Sequence, residues 1–436
     1  MQPFRRGRLP AALVLCLAVT ASAQELAGPK QQAAIRRVFD AGSGNPPSCS
    51  ATPIRAALDF SFRFQTGFVM DLPLAPFRGS QEGRVLLRVT PESGSATYLV
   101  SPFRVPAVPK SKFSGQIRGG FAVGEGKYAV DAIVEDENGQ RCRSHWSVLA
   151  RRSGNEHGLQ MAIAPSSVMA LSSPAVPTSH ASSEPSFEKL TVVVHVDPPS
   201  PRMSRLPPNE AMKLLGALSA LLEQVRTGSV RLVVMNLEQQ KILLRRDGFK
   251  ATELTGVGKL LNDEHPAMVD YATLRNPKGP MNLLARLLRE EFSAAHPADA
   301  LVFLGARLQI HGSFPSDALK RVSNRPRVFY MKCEMPLTFA NALHNSSPFG
   351  MSAESANFPT QVGGTLDSDT IESDDRLATF DRRDDSEDND DEMLAQSDQH
   401  DSIERLVRRL KGETIAIRRP ADCGRAIQHI ALRTSH

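Results

Sequence analysis

The sequence predicts a multidomain chain, with an N-terminal all-β sandwich over 48–152 and a C-terminal α/β doubly wound unit over 188–436. Three observations carry that expectation. Short runs of alternating apolar and polar residues, separated by turn residues, fill the first region. From Lys189 onward, apolar strands alternate with amphipathic helices, the pattern of a mostly parallel sheet covered on both faces. Between the two, residues 153–187 are rich in Ser, Pro and Ala and too poor in large apolar groups to bury themselves, so they read as a flexible linker. A chain of 436 residues exceeds one ordinary core, and 41% hydrophobic content is ample for two.

Ahead of the sandwich, residues 1–23 read as a secretory signal peptide. Arg5, Arg6 and Arg8 form its positive end, Ala11–Val19 its apolar stretch, and Ala21-Ser22-Ala23 its small-residue cleavage site. That stretch is shorter than the ~20 apolar residues a membrane span needs, and Cys16 within it lacks the small-residue context of a lipid anchor. The expectation is cleavage after Ala23 and a chain exported to the periplasm or the medium, with 24–47 as an N-terminal extension. Loss of the three leader arginines takes the 52 basic residues to 49 against 47 acidic, close to balance. No basic block with interleaved aromatics occurs, so nucleic acid is not an expected partner.

Within the sandwich, ALDFSFRF (57–64) alternates Leu58, Phe60, Phe62 and Phe64 with polar residues and predicts a strand with one buried face. GRVLLRV (83–89), TYLVSPFRV (97–105) and FSGQIRGGFAV (113–123) predict further strands. Residues 127–150 predict a hairpin turning at Asn138-Gly139, with Trp146 in the core. In the second unit LTVVVHV (190–196) predicts a strand buried on both faces. A helix is expected over 209–228, capped by Asn209 and stopped by Gly228. Strands at 229–237 and 241–246 follow so closely that they must be antiparallel neighbours. Helices are expected at 281–292, 316–322, 402–410 and 423–432, and strands at 300–305, 327–333 and 413–419. An insertion at about 335–400 contains DDSEDNDDE (384–392), a self-repelling run expected to be a disordered acidic loop; it also holds the sequon Asn345-Ser346-Ser347.

Four cysteines remain after the leader: Cys49, Cys142, Cys333 and Cys423. In an oxidising compartment an even number suggests two bridges, for which three pairings exist. One pair lies on each side of the linker, which favours Cys49–Cys142 and Cys333–Cys423; four buried free thiols are the alternative.

The last hairpin of the first region, GEGKYAVDAIVEDENGQ, resembles that of bacterial immunoglobulin-like modules. The element order over about 189–433 resembles the von Willebrand factor type A domain, as found in secreted bacterial proteins related to it. A Rossmann-like nucleotide-binding sheet is the competitor, but no G-x-G-x-x-G follows the first strand. The resemblance implies strand neighbours that bring Cys333 and Cys423 together. It also implies a metal-ion-dependent adhesion site: D-x-S-x-S after the first strand, a threonine from a later loop and an aspartate after the fourth strand. Such a cage of carboxylate and hydroxyl oxygens suits Mg²⁺.

On this chain Asp197 matches the leading aspartate, but Pro199 and Pro201 stand at the two serine positions. Ser200 and Ser204 are nearby but out of register. Gly305 and Ala306 replace the later aspartate, and TLRNPKGP (273–280) offers Thr273 and the neutral Asn276. The resemblance therefore implies a degenerate, metal-free site, no cofactor, and a non-enzymatic adhesion-type protein that binds an unidentified protein partner. The implied surface is the loops at Asp197–Met203, Asn276–Pro280 and Gly305–Ile310. The alternatives are a hydrolase using His195 and Asp197, or His311, at the same strand ends, and a structural envelope component. Neither G-x-S-x-G nor H-E-x-x-H is present.

Overall fold

The computed structural model of the protein describes residues 24–41, 49–73, 82–104, 114–171, 186–199, 206–263, 271–293, 297–310, 314–315, 326–334 and 401–432. These form three sheets, predominantly antiparallel in the first half of the chain and mixed in the second. The acidic insertion, the sequon, His311, the helix expected at 316–322, Ser200 and Ser204 all lie outside the described residues.

In the first half, β1 (Glu25–Leu26), α1 (Pro29–Asp40), β2 (Ser50–Leu58), β3 (Phe64–Pro73), β4 (Glu82–Pro91), β5 (Thr97–Arg104), β6 (Ser114–Val123), β7 (Gly126–Asp136), β8 (Arg141–Ala150) and β9 (Val168–Ala170) build two sheets. Their orders are β1-β5-β4-β7-β8 and β2-β3-β6-β9. Alternate residues of both sheets, among them Phe64, Phe68, Val85, Leu87, Ile117 and Val130, meet in one apolar core. Trp146 lies in it with its ring 5.5 Å from that of Phe68, and the Cys49–Cys142 disulfide ties the start of β2 to β8. The hairpin expected at 127–150 turns where predicted, and Gly139 takes the positive φ of 78° that the turn needs. Of the N-terminal extension, α1 packs Ile35 and Phe39 against the outer face of the five-stranded sheet, in a small cluster with Leu86, Tyr98 and Ile133.

The second half builds β10 (Phe187–His195), α2 (Pro208–Gln224), β11 (Thr227–Asn236), β12 (Lys241–Asp247), α3 (Leu254–Asp263), α4 (Tyr271–Leu274), α5 (Gly279–Phe292), β13 (Ala300–Ala306), β14 (Arg327–Cys333), α6 (Ser402–Arg409), β15 (Glu413–Ile417) and α7 (Pro420–Leu432). Strand order in its sheet is β12-β11-β10-β13-β14-β15. All neighbours are parallel except β12, which returns antiparallel on β11. Both faces are covered: α2 and α7 pack on one side with Leu190, Val192 and Val194. On the other, α5 and α6 pack with Val193, Leu301 and Phe303. Two-sided burial is why these strands read as continuous apolar runs rather than alternating ones.

Four expectations need correction. The alternation at 57–64 is not one strand. Residues 59–63 form the turn between β2 and β3, because the Asp59 carboxylate accepts hydrogen bonds from the amides of Ser61 and Arg63, both at 2.9 Å, and bends the chain. Phe62, at φ 57°, then leaves the sandwich and joins the core of the second unit with Leu190, Leu214 and Cys423. Secondly, α2 ends at Gln224 rather than at Gly228, which already belongs to β11. Its N-cap is Pro207 rather than Asn209, with Pro208 opening the first turn.

Thirdly, Cys333 and Cys423 are free thiols, not a disulfide. Cys423 sits on α7, in the helix expected there, and each thiol is enclosed by the apolar cluster between α2, α7 and the sheet. Fourthly, the described part of the expected linker is folded. Within it β9 pairs with β6, and Leu159 is buried in the second unit's core.

The two halves are therefore in contact. Gly216 of α2 lets the turn approach so closely that a Cβ there would lie 3.1 Å from that of Phe60. Arg63 lies 3.8 Å from Glu223 of α2 in a nearly buried pair. Gln224 and Gln428 donate to the carbonyls of Gln160 and Gly158.

Candidate functional site

The chain runs from β10 outward through β11 to β12, then crosses back to β13 on the other side of β10. The strand order thus reverses between β10 and β13, the place where open α/β sheets leave a crevice at their carboxyl ends. His195 is the last residue of β10, and Gly305 and Ala306 end β13. Asp197 follows two residues after His195. The resemblance's expected centre and the sheet's topological switch point therefore coincide.

The crevice is filled from within. His195 lies one residue beyond the Val194–Leu304 pair, and its ring lies against Gly305 so tightly that a Cβ there would come within 2.1 Å of Nε2. An aspartate at position 305 is sterically incompatible with that ring. His195 and Asp197 are each 1% exposed. The Asp197 carboxylate uses Oδ1 to accept the Glu238 amide at 2.7 Å, which holds the turn after β11 onto the end of β10. Its Oδ2 is 3.6 Å from His195 Nδ1, beyond hydrogen-bond range. Both ring nitrogens of His195 and Oδ2 of Asp197 are buried with no hydrogen-bond partner.

Around this pair stand further buried polar groups. The ring centroid of Tyr330 on β14 is 6.3 Å from that of His195. Its hydroxyl donates to the Ala306 carbonyl at 2.9 Å and approaches Asp401 Oδ2 at 3.4 Å. Burial, with Asp401 adding to it, pushes the Tyr330 phenol well above its ordinary range. Asp401 caps α6 by accepting the amides of Ile403 and Glu404. Burial raises its carboxyl, against the opposing pull of the Glu404 amide bond and of the neighbouring His195 and Lys332. Burial also raises Glu238, helped by the charge of Asp197. Lys332 on β14 bonds Glu334 and Glu404 at 2.9 and 3.0 Å. Burial opposes its charge, but the two carboxylates outweigh that and hold its pKa above the usual value. Burial pushes the Cys333 thiol up to about 12 and holds that of Cys423 well above its ordinary range, so neither is a ready thiolate nucleophile.

Of the other expected contributors, Ser200 and Ser204 lie outside the described residues, and Thr273 and Asn276 are tied to Gln240. Asn276 is exposed and donates to Gln240 Oε1 at 3.1 Å. Gln240 in turn donates to the carbonyls of Thr273 and Asn276. This stitches the 273–280 loop to the turn between β11 and β12. The loop after β13 is held by α6: Ser402 donates its amide to Leu308, and its hydroxyl accepts the Ile310 amide. Among the described residues no group of three His, Cys, Asp or Glu side chains is placed to hold a metal ion. Residue-type reasoning overlooked Glu238, Tyr330 and Asp401. The signal for Asp401 was available, since Asp401-Ser402 precedes the apolar positions of a helix as an N-cap does.

As chemistry, the arrangement offers a buried imidazole, one half-used carboxylate and a phenol already bonded to a backbone carbonyl. No described hydroxyl or thiol is placed as a nucleophile against His195. No protein-family model matches the chain, and no curated protein matches it. Among solved structures, a calcium-binding mutant of Bacteroides uniformis beta-glucuronidase 2 aligns at 11% identity over 69% of this chain and 39% of that one, with a TM-score of 0.17. Bacteroides uniformis beta-glucuronidase aligns at 10% identity over 69% and 38%, also at 0.17. The chain spans about two fifths of the length of these enzymes, and a TM-score of 0.17 does not establish a shared fold.

Proposed function

We propose that the chain is an exported, non-enzymatic protein-binding protein. On this reading an immunoglobulin-like sandwich is joined to a metal-free unit of the von Willebrand factor type A kind, and an unidentified protein partner binds the loops at the sheet's carboxyl end. The strand order β12-β11-β10-β13-β14-β15, with only β12 antiparallel, supports the type A reading. The two sheets sharing one core support the sandwich. One observation carries the functional part: His195 and Asp197 close the switch-point crevice with their own buried side chains, leaving the surrounding loops rather than a cleft to meet a ligand. No described helix is long and apolar enough to cross a membrane, and export itself rests on the leader pattern.

Calorimetry tests the metal-free half of this reading. Titrating Mg²⁺ or Mn²⁺ into the intact protein and into Asp197→Ala should give the same null heat. Micromolar binding that the substitution abolishes would overturn it. The hydrolase reading keeps one supporting observation, the unpartnered His195 and Asp197 atoms at the switch point. It requires an esterase or peptidase activity that His195→Gln abolishes.

A further inference from the structure

We propose that the stretch from Tyr271 to Lys278 is a docking surface for an acidic segment of a partner protein, with Arg275 and Lys278 receiving its carboxylates. The proposal rests on the reading of the carboxyl-end loops as a protein-binding surface, and adds the chemistry of the partner.

The Arg275 amide donates to the Tyr271 carbonyl at 3.2 Å, so the two residues stand one helical turn apart and share a face. The Arg275 guanidinium lies over the Tyr271 ring, 4.5 Å from its centroid. Tyr271 is 65% exposed, so the stack stands in solvent. Stacking occupies the flat face of the guanidinium and leaves the N–H groups at its edge for the two-pronged bonding that carboxylates favour. Lys278 is exposed three residues on, and Lys241 is exposed at the start of β12. Gln240, just before Lys241, ties its turn to the carbonyls of Thr273 and Asn276. The backbone is thus fixed before a partner arrives, which lowers the ordering cost of binding.

Among the described residues, no carboxylate pairs with Lys241, Arg275 or Lys278. Elsewhere in the same unit Arg231, Arg245, Arg246, Arg418 and Arg425 each have one. The acid of the β11–β12 turn, Glu238, is half-buried near Asp197 and forms no ion pair with these cations. Three unpaired cations around an exposed ring therefore await an anion from outside, and arginine with tyrosine is the pairing that carries protein–protein contacts. A lipid surface fits less well. Tyr271 is the one large apolar side chain so exposed on these loops among the described residues, and anionic membranes are met by clusters of about 4–8 basic residues.

Two assays on the intact protein test this. In the first, a phage library of random peptides is panned on the protein and on a variant carrying Arg275→Ser and Lys278→Ser. The selected peptides should be rich in Asp and Glu and should be lost on the variant. Peptides that are lost but not acidic would overturn the inference and leave the loops as a binding surface. Peptides retained on the variant would also overturn it, and cross-linking them to residues outside the carboxyl-end loops would sink the wider reading as well. In the second, fluorescence anisotropy follows a labelled hexaglutamate peptide at low salt. The double substitution should weaken its binding about tenfold or more, and Tyr271→Ala roughly two- to fivefold. Arg275→Lys, which keeps the charge but not the fork, should fall between. Arg286→Ser, at an exposed position further along α5, should change nothing; a loss as large as that from Arg275→Ser would mean that the peptide follows net charge, and would overturn the proposal. Binding that appears only when the acids of 384–392 are replaced by neutral residues would assign the surface to the chain's own acidic run. Binding to phosphatidylserine vesicles without binding to the peptide would assign it to lipid. Either result overturns the partner named here.

Discussion

Asp59 and Asp197 each stand just past the end of a strand, β2 and β10, and each accepts a backbone amide, yet their carboxylates are used in opposite ways. Asp59 is saturated. Its Oδ1 takes the backbone amides of Ser61 and Arg63, its Oδ2 takes the Gln65 side-chain Nε2 at 2.6 Å, and the Ser61 hydroxyl lies 2.8 Å from both oxygens. Asp197 accepts one amide and leaves its second oxygen buried and unpaired beside His195. A saturated buried carboxylate fixes a backbone conformation, whereas a half-saturated one holds less and keeps an unmet demand. The turn that Asp59 builds carries Phe62 across to the other unit, so it joins the two halves. The single amide bond that Asp197 accepts ties the turn after β11 to the end of β10.

The largest expected effects therefore lie on the Asp59 side, away from the site a reader of the sequence would mutate first. Phe62 is fully buried in the second unit's core. Phe62→Ala should cost roughly 3–5 kcal/mol, as deletion of a core aromatic ring does, in urea unfolding followed by fluorescence and circular dichroism. A loss below ~1 kcal/mol would mean that the turn does not anchor the halves. Asp59→Ala strands two backbone amides and should cost about 2–3 kcal/mol. Asp197→Asn keeps the oxygen that accepts the Glu238 amide and should cost less than ~1 kcal/mol. If the two aspartate substitutions are equally damaging, the contrast between the residues fails.

A smaller effect tests how the crevice is closed. Gly305→Ala places a methyl group where the His195 ring lies, and overpacking of this kind costs typically ~1–3 kcal/mol. The cause can be isolated, because His195→Ala in the same chain should recover most of the loss and make the pair strongly non-additive. Additive losses would show that Gly305 is needed for something other than the ring.

The sequence made the strands legible wherever burial alone decided them. LTVVVHV, ALVFLG and RVFYMKC form β10, β13 and β14 within a few residues of expectation, because two-sided burial demands an unbroken apolar run. ALDFSFRF misled for an equally physical reason. Its alternation is real, but Phe60 and Phe62 are apolar because they face the second unit, and a tertiary partner cannot be read from a local period. Helix ends failed where proline and strand pairing competed: Pro207 displaced Asn209 as cap, and β11 claimed Gly228. At the site, the sequence exposed the missing hydroxyls and the glycine at 305. It could not show that His195 fills the space over that glycine, since the contact depends on register between β10 and β13. The Cys333–Cys423 expectation failed because closeness in a topology does not orient two thiols toward each other.

The finest test concerns charge at the Asp197 end, and its sign follows from Glu238. Burial raises that carboxyl above its ordinary value of 4.5, and the Asp197 charge adds to the rise. The folded state therefore binds this proton more tightly than the unfolded chain does. Through the window that starts near 4.5 and runs up to the raised value, the folded protein holds more protons, so stability falls as pH increases and is regained on acidification. The Asp59 and Asp401 carboxyls are also raised by burial and tilt the stability curve in the same sense from 3.8 upward. Glu135, by contrast, is held low by Arg84 and Arg141 despite its burial, so its contribution is present above 4.5 and disappears in acid. Glu238→Gln should flatten the fall between mildly acidic and neutral pH by a small amount, because the side chain is only half-buried. The readout is the urea midpoint against pH for the two proteins, with Asp197→Asn as the partner variant. Asp197→Asn should reduce the same slope by removing the neighbouring charge. An unchanged slope in both variants would mean that the two carboxylates do not sense each other across the end of β10.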